Sequence, residues 1–420
     1  MKENNMNVGG VSTAPLDKAD SRVKHSVSLR DQVLEFLNRI KSGDLGSFPV
    51  IVGLVLIWGV FTFLNPVFVS PNNLVNLLFD SATVGLIALG VVFVLLLGEI
   101  DLSIGSMSGV SSAIFGVMWV KSGFSVPVSI AASIFFGLCI GLIYSNLRTR
   151  LGMPSFVSTL AGLLALLGFQ LFLLGSTGSI NLPYGSEIVA FGQLAIMAPE
   201  VSYTLAVLPG AYIFWMGLRT HRKRLATNLS SNGLGNLVIK VVAITVLLLA
   251  CVYYLNLSRG VPWMFGVFVA FVVAADYALT KTKWGRAMFA VGGNAEAARR
   301  AGINVKQIYM SAFVLCSTLA ALGGILAASR LASASQQAGT GDVNLNAIAA
   351  AVIGGTSLFG GRGSAWSALL GVIVIQSISN GLTLLNMSSA HRYMITGAVL
   401  AIAVIIDSLA RKSRASHGKA

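Results

Sequence analysis

Long uncharged apolar runs constrain this chain more than any other feature of its sequence. Of its 420 residues, 55% are hydrophobic and only 10% are charged, whereas soluble domains carry about 25% charged residues. A helix needs about 20 mostly apolar residues to cross the hydrocarbon core of a bilayer. The 45 glycines suit membrane helices, where small residues let backbones approach closely. The sequence therefore predicts an all-α, polytopic integral membrane protein.

The apolar runs predict a helical bundle of about 10 to 12 transmembrane helices, with some broken or re-entrant segments. The runs lie at 48–64, 74–97, 103–120, 125–147, 154–175, 199–218, 236–257, 260–280, 307–328, 345–358, 364–386 and 393–410. Asp80 interrupts the second run. Ionisable residues in membrane helices usually face protein or water, so a broken or re-entrant helix is expected at this residue.

Three regions are expected along the chain. A cytoplasmic tail at 1–47 and a short tail at 413–420 flank a transmembrane domain at 48–412. Apolar residues at helical spacing between Leu29 and Ile40 predict an amphipathic helix in the first tail. That helix lies either on the inner membrane surface or against the floor of the bundle.

Lysines and arginines are distributed unevenly between the two sides of the predicted bundle. All but four of the 29 fall on the side of the N-terminus when the spans alternate in direction, and the four are Lys121, Arg259, Arg330 and Arg392. Because cytoplasmic loops are enriched in Lys and Arg, both termini are predicted to be cytoplasmic. The formal net charge of +14 is then a topology signal, so membrane lipid is expected as a partner and nucleic acid is not.

No metal, cofactor or catalytic site is expected. Cys139, Cys251 and Cys316 lie in apolar runs, where a lone cysteine behaves as a small hydrophobe. The nearest match to a nucleotide-binding P-loop, at 355–364, has Gly361 where that motif requires lysine. The chain is therefore not expected to be an enzyme or to hydrolyse nucleotide by itself.

The cytoplasmic loop at 281–306 contains a short predicted helix from Ala295 to Ala301. Asn294 is placed to cap its N-terminus and Gly302 to end it. The charged residues Glu296 and Arg299 form a face that can dock on a soluble partner. A solvated loop whose charges only set topology is the alternative.

Two glycine-containing segments share the pattern G-x-x-x-L-x-x-G, and each separates two apolar runs. They are Gly98–Gly105 (GEIDLSIG) and Gly354–Gly361 (GGTSLFGG). Internal repeats of transporters bring such interrupted helices close to the substrate path, although coincidence is the alternative here. The candidate pathway residues are Glu99, Asp101, Ser103, Gly354, Gly355, Thr356 and Ser357.

Glu99 and Asp101 have three possible roles. Carboxylates ahead of a helix that begins near Ser103 are stabilised by its free N–H groups. Carboxylates within the membrane also mark substrate contacts or proton relays. Capping is the favoured interpretation, contact with a sugar or gating comes second, and a proton relay comes third.

The motif Glu296-Ala297-Ala298-x-x-x-Gly302 resembles the EAA loop of bacterial ABC import permeases. The ribose/xylose branch of monosaccharide permeases is resembled more widely, at Gly98–Gly105, Ala290–Asn294 (AVGGN), Ala301–Val305 (AGINV) and Ala347–Ser357 (AIAAAVIGGTS). The resemblance extends over 48–412. The two spans between 199 and 257 are an insertion that ribose-type permeases lack, so the xylose type is the closer resemblance. The Ile-x-Leu-Pro element of the wider EAA consensus is absent after Gly302, as in the rest of this branch.

The resemblance implies a permease subunit that forms the pathway for a monosaccharide, such as the pentose xylose, across the bacterial inner membrane. It implies three partners: a cytoplasmic ABC ATPase subunit, a periplasmic or lipid-anchored sugar-binding protein, and a second permease copy in a homodimer. The loop residues that would transmit ATP-driven movement are Gly292, Gly293, Asn294, Glu296, Ala297, Ala298, Arg299 and Gly302. A proton-coupled secondary sugar transporter that uses Glu99 and Asp101 remains the alternative, and a passive channel or scaffold is a third.

Overall fold

A computed structural model describes residues 48–227, 229, 234–340 and 342–416. The amphipathic helix predicted between Leu29 and Ile40 lies outside these residues. Helices account for most of the described chain, and its two short strands, β1 (Ser179–Asn181) and β2 (Ser333–Ser335), pair antiparallel. The predicted all-α class is confirmed.

The helices follow the predicted spans closely. Within the described residues, the first six are α1 (Phe48–Leu64), α2 (Pro71–Leu96), α3 (Ile104–Gly116), α4 (Val126–Thr149), α5 (Ser155–Leu174) and α6 (Glu187–Gln193). The remaining nine are α7 (Pro199–Ala226), α8 (Leu234–Asn256), α9 (Trp263–Lys281), α10 (Lys283–Gly293), α11 (Ala295–Arg300), α12 (Val305–Leu331), α13 (Asp342–Ile353), α14 (Trp366–Leu384) and α15 (Ser389–Ser416). Single 3-10 turns lie at Pro66–Val69 and Gly175–Thr177, and a π-helical turn at Val117–Lys121 extends α3.

Eight helices of the described chain are long and apolar enough to cross a membrane. They are α2, α4, α5 with the turn that follows it, α7, α8, α9, α12 and α14. The apolar helices α1 and α13 are shorter. A helix of 12 residues such as α13 rises about 18 Å, which is too short for a core of about 30 Å. The polytopic bundle with short segments is therefore as predicted.

The described chain forms two compact units, one at 198–254 and the other at 48–197 with 255–416. In the first unit, α7 meets α8 at two glycines, which leave room for the opposite side chains. Gly210 lies against Thr245, and Gly217 lies against Leu237.

The core of the second unit is built around α2 and α12. Helix α2 is buried along most of its length, and α12 packs against α2, α3 and α4. Close approach depends on small residues: a Cβ atom at Gly90 would lie 2.9 Å from the carbonyl oxygen of Cys316, and one at Gly141 would lie 2.5 Å from the Cα atom of Val314. Filling such contacts typically costs about 1–3 kcal/mol.

Helix α2 is continuous through Asp80, so the predicted break at this residue is wrong. Arg330 of α12 donates from its Nε atom to Oδ1 of Asp80 over 2.9 Å. Gln376 of α14 donates to the backbone carbonyl of Asp80 over 3.0 Å. Because a distant arginine compensates the carboxylate, the helix continues without a break.

Candidate functional site

The predicted loop helix is present as α11, and it is capped as the sequence predicts. The Asn294 side chain accepts a hydrogen bond from the backbone N–H of Ala297 over 2.9 Å, an arrangement that typically stabilises a helix by about 1 kcal/mol. Gly302 follows the helix with a positive φ of 84°, a conformation that favours glycine. Its amide donates to the carbonyl oxygen of Arg299 over 3.0 Å.

Helix α11 has a charged outer face and an apolar underside. Glu296, whose side chain is 56% exposed, pairs with Arg299 at 2.7 Å and with Arg300 at 3.4 Å. Ala298 is buried, whereas Ala297 is exposed. Exposed ion pairs contribute about 0–1 kcal/mol to stability, so these charges are available to a partner at little cost to the helix.

Helix α10 attaches this surface to the core. The Trp284 ring lies 5.8 Å from the Phe93 ring of α2, centroid to centroid. Its indole Nε1 donates to the Ser311 hydroxyl of α12 over 2.8 Å. Met288 and Val291 are buried on the same helix. Helix α10 is therefore held against both central helices of the core.

Four glycines meet where α10 reaches the end of α2, and we call Gly98, Gly292, Gly360 and Gly361 the glycine junction. A Cβ atom at Gly292 would overlap the carbonyl oxygen of Leu96, and one at Gly360 would lie 2.7 Å from the carbonyl oxygen of Gly292 and 2.8 Å from the amide nitrogen of Gly98. The Gly361 amide donates to the Leu96 carbonyl over 2.8 Å. Three chain segments thus touch backbone to backbone.

The junction brings together the two segments that share the G-x-x-x-L-x-x-G pattern. Each follows a helix and leads towards the next, α2 to α3 in one case and α13 to α14 in the other. Gly292 and Gly293, expected as part of the ATPase-coupling loop, form the third side. Sequence reasoning did not predict this meeting, and it missed Leu96, Gly360 and Arg148 as parts of the site.

Asp101 lies just ahead of α3 and is almost completely buried. Its Oδ1 atom accepts hydrogen bonds from the Ser103 amide over 2.8 Å and from the Ser103 hydroxyl over 2.7 Å. The Cys316 thiol lies 3.8 Å from Oδ2. Burial raises the pKa of the Asp101 carboxyl above its ordinary value, and the hydrogen bonds from Ser103 oppose that rise.

Glu99 forms an ion pair with Arg148, at the end of α4. The Arg148 Nε atom donates to Oε1 of Glu99 over 2.7 Å, and the arginine side chain is 33% exposed while that of Glu99 is 10% exposed. The guanidinium also lies 5.2 Å from the centroid of the Tyr309 ring. The charge of Glu99 is therefore compensated. Arg148 was used only to assign topology from the sequence, so its pair with Glu99 was not predicted.

The segment after α13 folds as a tight turn. Thr356 and Ser357 are buried, and the Ser357 hydroxyl accepts a hydrogen bond from the Phe359 amide over 3.2 Å. Gly354 lies against the backbone of Ser367. Gly355, with a φ of 109°, adopts a conformation that favours glycine. Of the candidate pathway residues in this segment, Gly354, Thr356 and Ser357 are thus buried and Gly355 is exposed.

Comparison with known proteins supplies the family. A family model described as the permease component of branched-chain amino acid transport systems matches residues 73–404. The xylose transport system permease protein XylH of Haemophilus influenzae is 32% identical over 375 residues, which cover 89% of this chain and 99% of that protein. The chain belongs to this permease family.

Other relatives place this permease in the ribose/xylose branch. XylH of Escherichia coli K12 is 33% identical over 375 residues, covering 89% of this chain and 94% of that protein. The ribose import permease protein RbsC of the same strain is 29% identical over 362 residues, covering 85% and 92%. No solved structure matches the permease. Every residue of the glycine junction lies within the matched range.

Proposed function

We propose that this permease is the membrane-spanning subunit of an ABC importer and forms the pathway for a monosaccharide, a pentose such as xylose. Its similarity to permeases named for xylose and ribose supports this solute class. A separate ATPase subunit supplies the energy. The P-loop-like segment at 355–364 belongs instead to the turn that places Gly361 in the glycine junction.

The observation that carries the proposal is the contact of Gly292 with Leu96 and Gly361. It connects α10, and through Asn294 the exposed helix α11, to the end of α2 and to the turn after α13. No side chain separates these backbones, and packed interfaces transmit displacement because they are not freely deformable. A force on α11 therefore reaches both glycine segments without passing through a flexible side chain.

The docking surface for the ATPase is the outer face of α11. Glu296 and Arg299 provide its charges, and the buried Ala298 holds the helix against the permease. The cap of Asn294 and the turn at Gly302 fix both helix ends. Gly292 passes the movement inward and Gly293 ends α10, while the exposed Ala297 leaves the surface open to a partner.

Both termini and the loop at 281–306 lie on the cytoplasmic side in this proposal. Arg148 lies at the glycine-junction end of the second unit, through its pair with Glu99. Arg259 and Arg330 instead surround Asn76 near the start of α2. These groups agree with the two sides assigned from the charge bias. The sugar-binding protein docks on the far side, and a second permease copy completes the pathway.

The contacts of the two carboxylates favour this proposal over a proton-coupled transporter. Arg148 compensates the charge of Glu99 in an ion pair, and the Ser103 amide at the start of α3 donates a hydrogen bond to Asp101. A proton relay requires a carboxylate that releases and rebinds protons during transport. Structural roles in fixing the segment between α2 and α3 account for both groups.

Uptake of labelled D-xylose and D-ribose tests the proposal in cells of the source organism. A protonophore given while ATP is maintained should leave uptake largely intact, and depletion of ATP should abolish it. Deletion of the permease should remove uptake, and its return should restore it. Uptake that collapses with the proton gradient at constant ATP would favour the secondary transporter.

A further inference from the structure

A second polar cluster lies near the other end of α2. Asn76 and Asp80 are one turn apart on this helix, and they meet Arg259 from the segment before α9, Arg330 from α12 and Gln376 from α14. We call these five residues the Asp80 cluster. Sixteen residues along α2, about 24 Å of helix, separate it from the glycine junction.

The two arginines fix the polar groups of α2 in one orientation. Arg330 pairs with Oδ1 of Asp80 over 2.9 Å and also donates to Oδ1 of Asn76 over 3.3 Å. Arg259 donates to the same oxygen of Asn76 over 3.3 Å. Both guanidinium groups lie over the buried ring of Phe79, at 4.9 Å for Arg330 and 5.5 Å for Arg259.

Three hydrogen-bonding atoms of the cluster have no partner among the described residues. Both arginines bind Oδ1 of Asn76, so its Nδ2 atom points away and remains a donor. Oδ2 of Asp80 remains an acceptor. Gln376 uses its Nε2 atom on the Asp80 carbonyl, which leaves its Oε1 atom as a second acceptor. One donor and two acceptors of the cluster are thus available to a ligand.

The cluster is partly exposed, although it lies on a helix that is otherwise buried. The Asp80 side chain is 47% exposed and that of Arg330 is 19% exposed. An ionised side chain facing lipid is energetically costly, so such residues face a water-filled cavity or other protein and commonly mark substrate pathways. An aqueous path along the exposed side of Asp80 would meet this requirement.

We propose that the Asp80 cluster binds the hydroxyl groups of the transported sugar on the side of the membrane opposite the ATPase. This inference rests on the proposed function and deepens it. A sugar hydroxyl both donates and accepts, so adjacent hydroxyls fit the donor of Asn76 and the acceptors of Asp80 and Gln376. The carboxylate disfavours anionic solutes and the two arginines disfavour cations, which leaves neutral polyhydroxylated solutes.

The cluster and the glycine junction occupy the two ends of one rigid element. Because α2 runs without interruption from Asp80 to Leu96, movement at the junction shifts the sugar-binding groups of Asn76 and Asp80 relative to Arg330 and Gln376. The site is thereby connected to the ATPase-driven movement. The buried Thr356 and Ser357 belong to the turn, whereas the Asp80 cluster contacts the solute.

Uptake by variants provides the first test. Asp80→Asn and Gln376→Ala should each lower uptake of labelled D-xylose by about tenfold, since a hydrogen bond to the solute is lost. Asp276→Asn, which neutralises a carboxylate in another span, should leave uptake within about twofold of the native level. Native uptake by both Asp80→Asn and Gln376→Ala would overturn the site.

Cysteine labelling provides a second test that does not depend on transport. Native membranes with Asn76→Cys are treated with a membrane-impermeant thiol reagent, and mass spectrometry reports modification at each position, with the buried Cys316 as internal reference. Position 76 should react, and high millimolar D-xylose should slow its reaction several-fold. Adding Gln376→Ala should remove this protection.

The outcomes separate the site from the proposed function. A position 76 that is unreactive, or reactive without protection, while the native permease imports D-xylose would overturn the site and leave the function standing. Protection at position 76 in a permease that imports neither D-xylose nor D-ribose would support the site and overturn the function.

Discussion

Gly292 lies directly against the carbonyl oxygen of Leu96, the same oxygen that accepts a hydrogen bond from the Gly361 amide over 2.8 Å. One carbonyl group at the end of α2 therefore contacts α10 and the turn after α13. In the proposed function, this contact transmits movement of α10 to the core. It also explains why glycine is needed at 292, since any side chain there would separate the two backbones.

Gly292→Ala should uncouple the permease. The added Cβ atom overlaps the Leu96 carbonyl, and overpacking of this kind costs about 1–3 kcal/mol, so the junction opens. Uptake of labelled D-xylose should fall by about tenfold or more while the ATPase still copurifies, because the outer face of α11 is unchanged.

Gly293→Ala is the matched control for this change. A Cβ atom at Gly293 meets no atom within 4 Å among the described residues, and Ala is favoured over Gly in a helix by about 1 kcal/mol. Uptake by Gly293→Ala should remain close to native. Equal losses in the two variants would show that the contact with Leu96 carries no coupling.

Charge reversal at Glu296 should abolish association with the ATPase while membrane insertion stays intact. The pairs of Glu296 with Arg299 and Arg300 are exposed and contribute about 0–1 kcal/mol, so Glu296→Arg leaves the helix folded. A pull-down from detergent measures the association. Glu187→Arg, an exposed glutamate in α6, is the control.

Gly302→Pro tests docking of the ATPase on α11 by changing the backbone of the turn that follows this helix. Proline fixes φ near −65° and lacks the amide hydrogen, whereas Gly302 has a φ of 84° and donates to Arg299. The turn after α11 should unfold and the ATPase should be lost. Normal ATPase binding by both Gly302→Pro and Glu296→Arg would refute docking on α11.

The pair of Glu99 with Arg148 should behave as a structural ion pair. Glu99→Gln leaves the arginine without its partner and should lower stability by about 1–3 kcal/mol, measured by thermal unfolding in detergent. Adding Arg148→Gln removes the unpaired charge and should restore part of the loss. If the two losses add independently, the pair is not coupled, and a separate role for Glu99 gains support.

Thiol labelling in intact cells tests the orientation. Tyr184→Cys, in the exposed loop before α6, should react with a membrane-impermeant reagent. Lys283→Cys, exposed at the start of α10, should react only after permeabilisation. The reverse pattern would invert the proposed topology, which the charge bias supports through the positive-inside rule.

Sequence reasoning predicted the parts of this permease that depend on local patterns. The apolar runs predicted the spans, and the Asn294 cap with Gly302 predicted α11 because helix ends are determined by neighbouring residues. The family resemblance, drawn from local motifs, was confirmed by the family model and the relatives. These features need no knowledge of distant contacts.

The remaining features depend on residues far apart in the chain. Arg330 compensates Asp80 across 250 positions, and Arg148 compensates Glu99 across 49. Neither pairing has a local signal, so a break was predicted at Asp80 and free carboxylates were considered near α3. The meeting of Gly98 with Gly360 likewise follows from tertiary packing, although their shared pattern had singled out both segments.

The central claim is that a separate ATPase drives transport by moving α10 and α11 of this permease. Reconstitution into proteoliposomes tests this most directly, with purified permease alone or with its ATPase, sugar-binding protein and ATP. We predict accumulation of labelled D-xylose or D-ribose only with the complete set, and its loss with Gly292→Ala but not with Gly293→Ala. Accumulation by the permease alone, driven by an imposed proton gradient, would contradict the account.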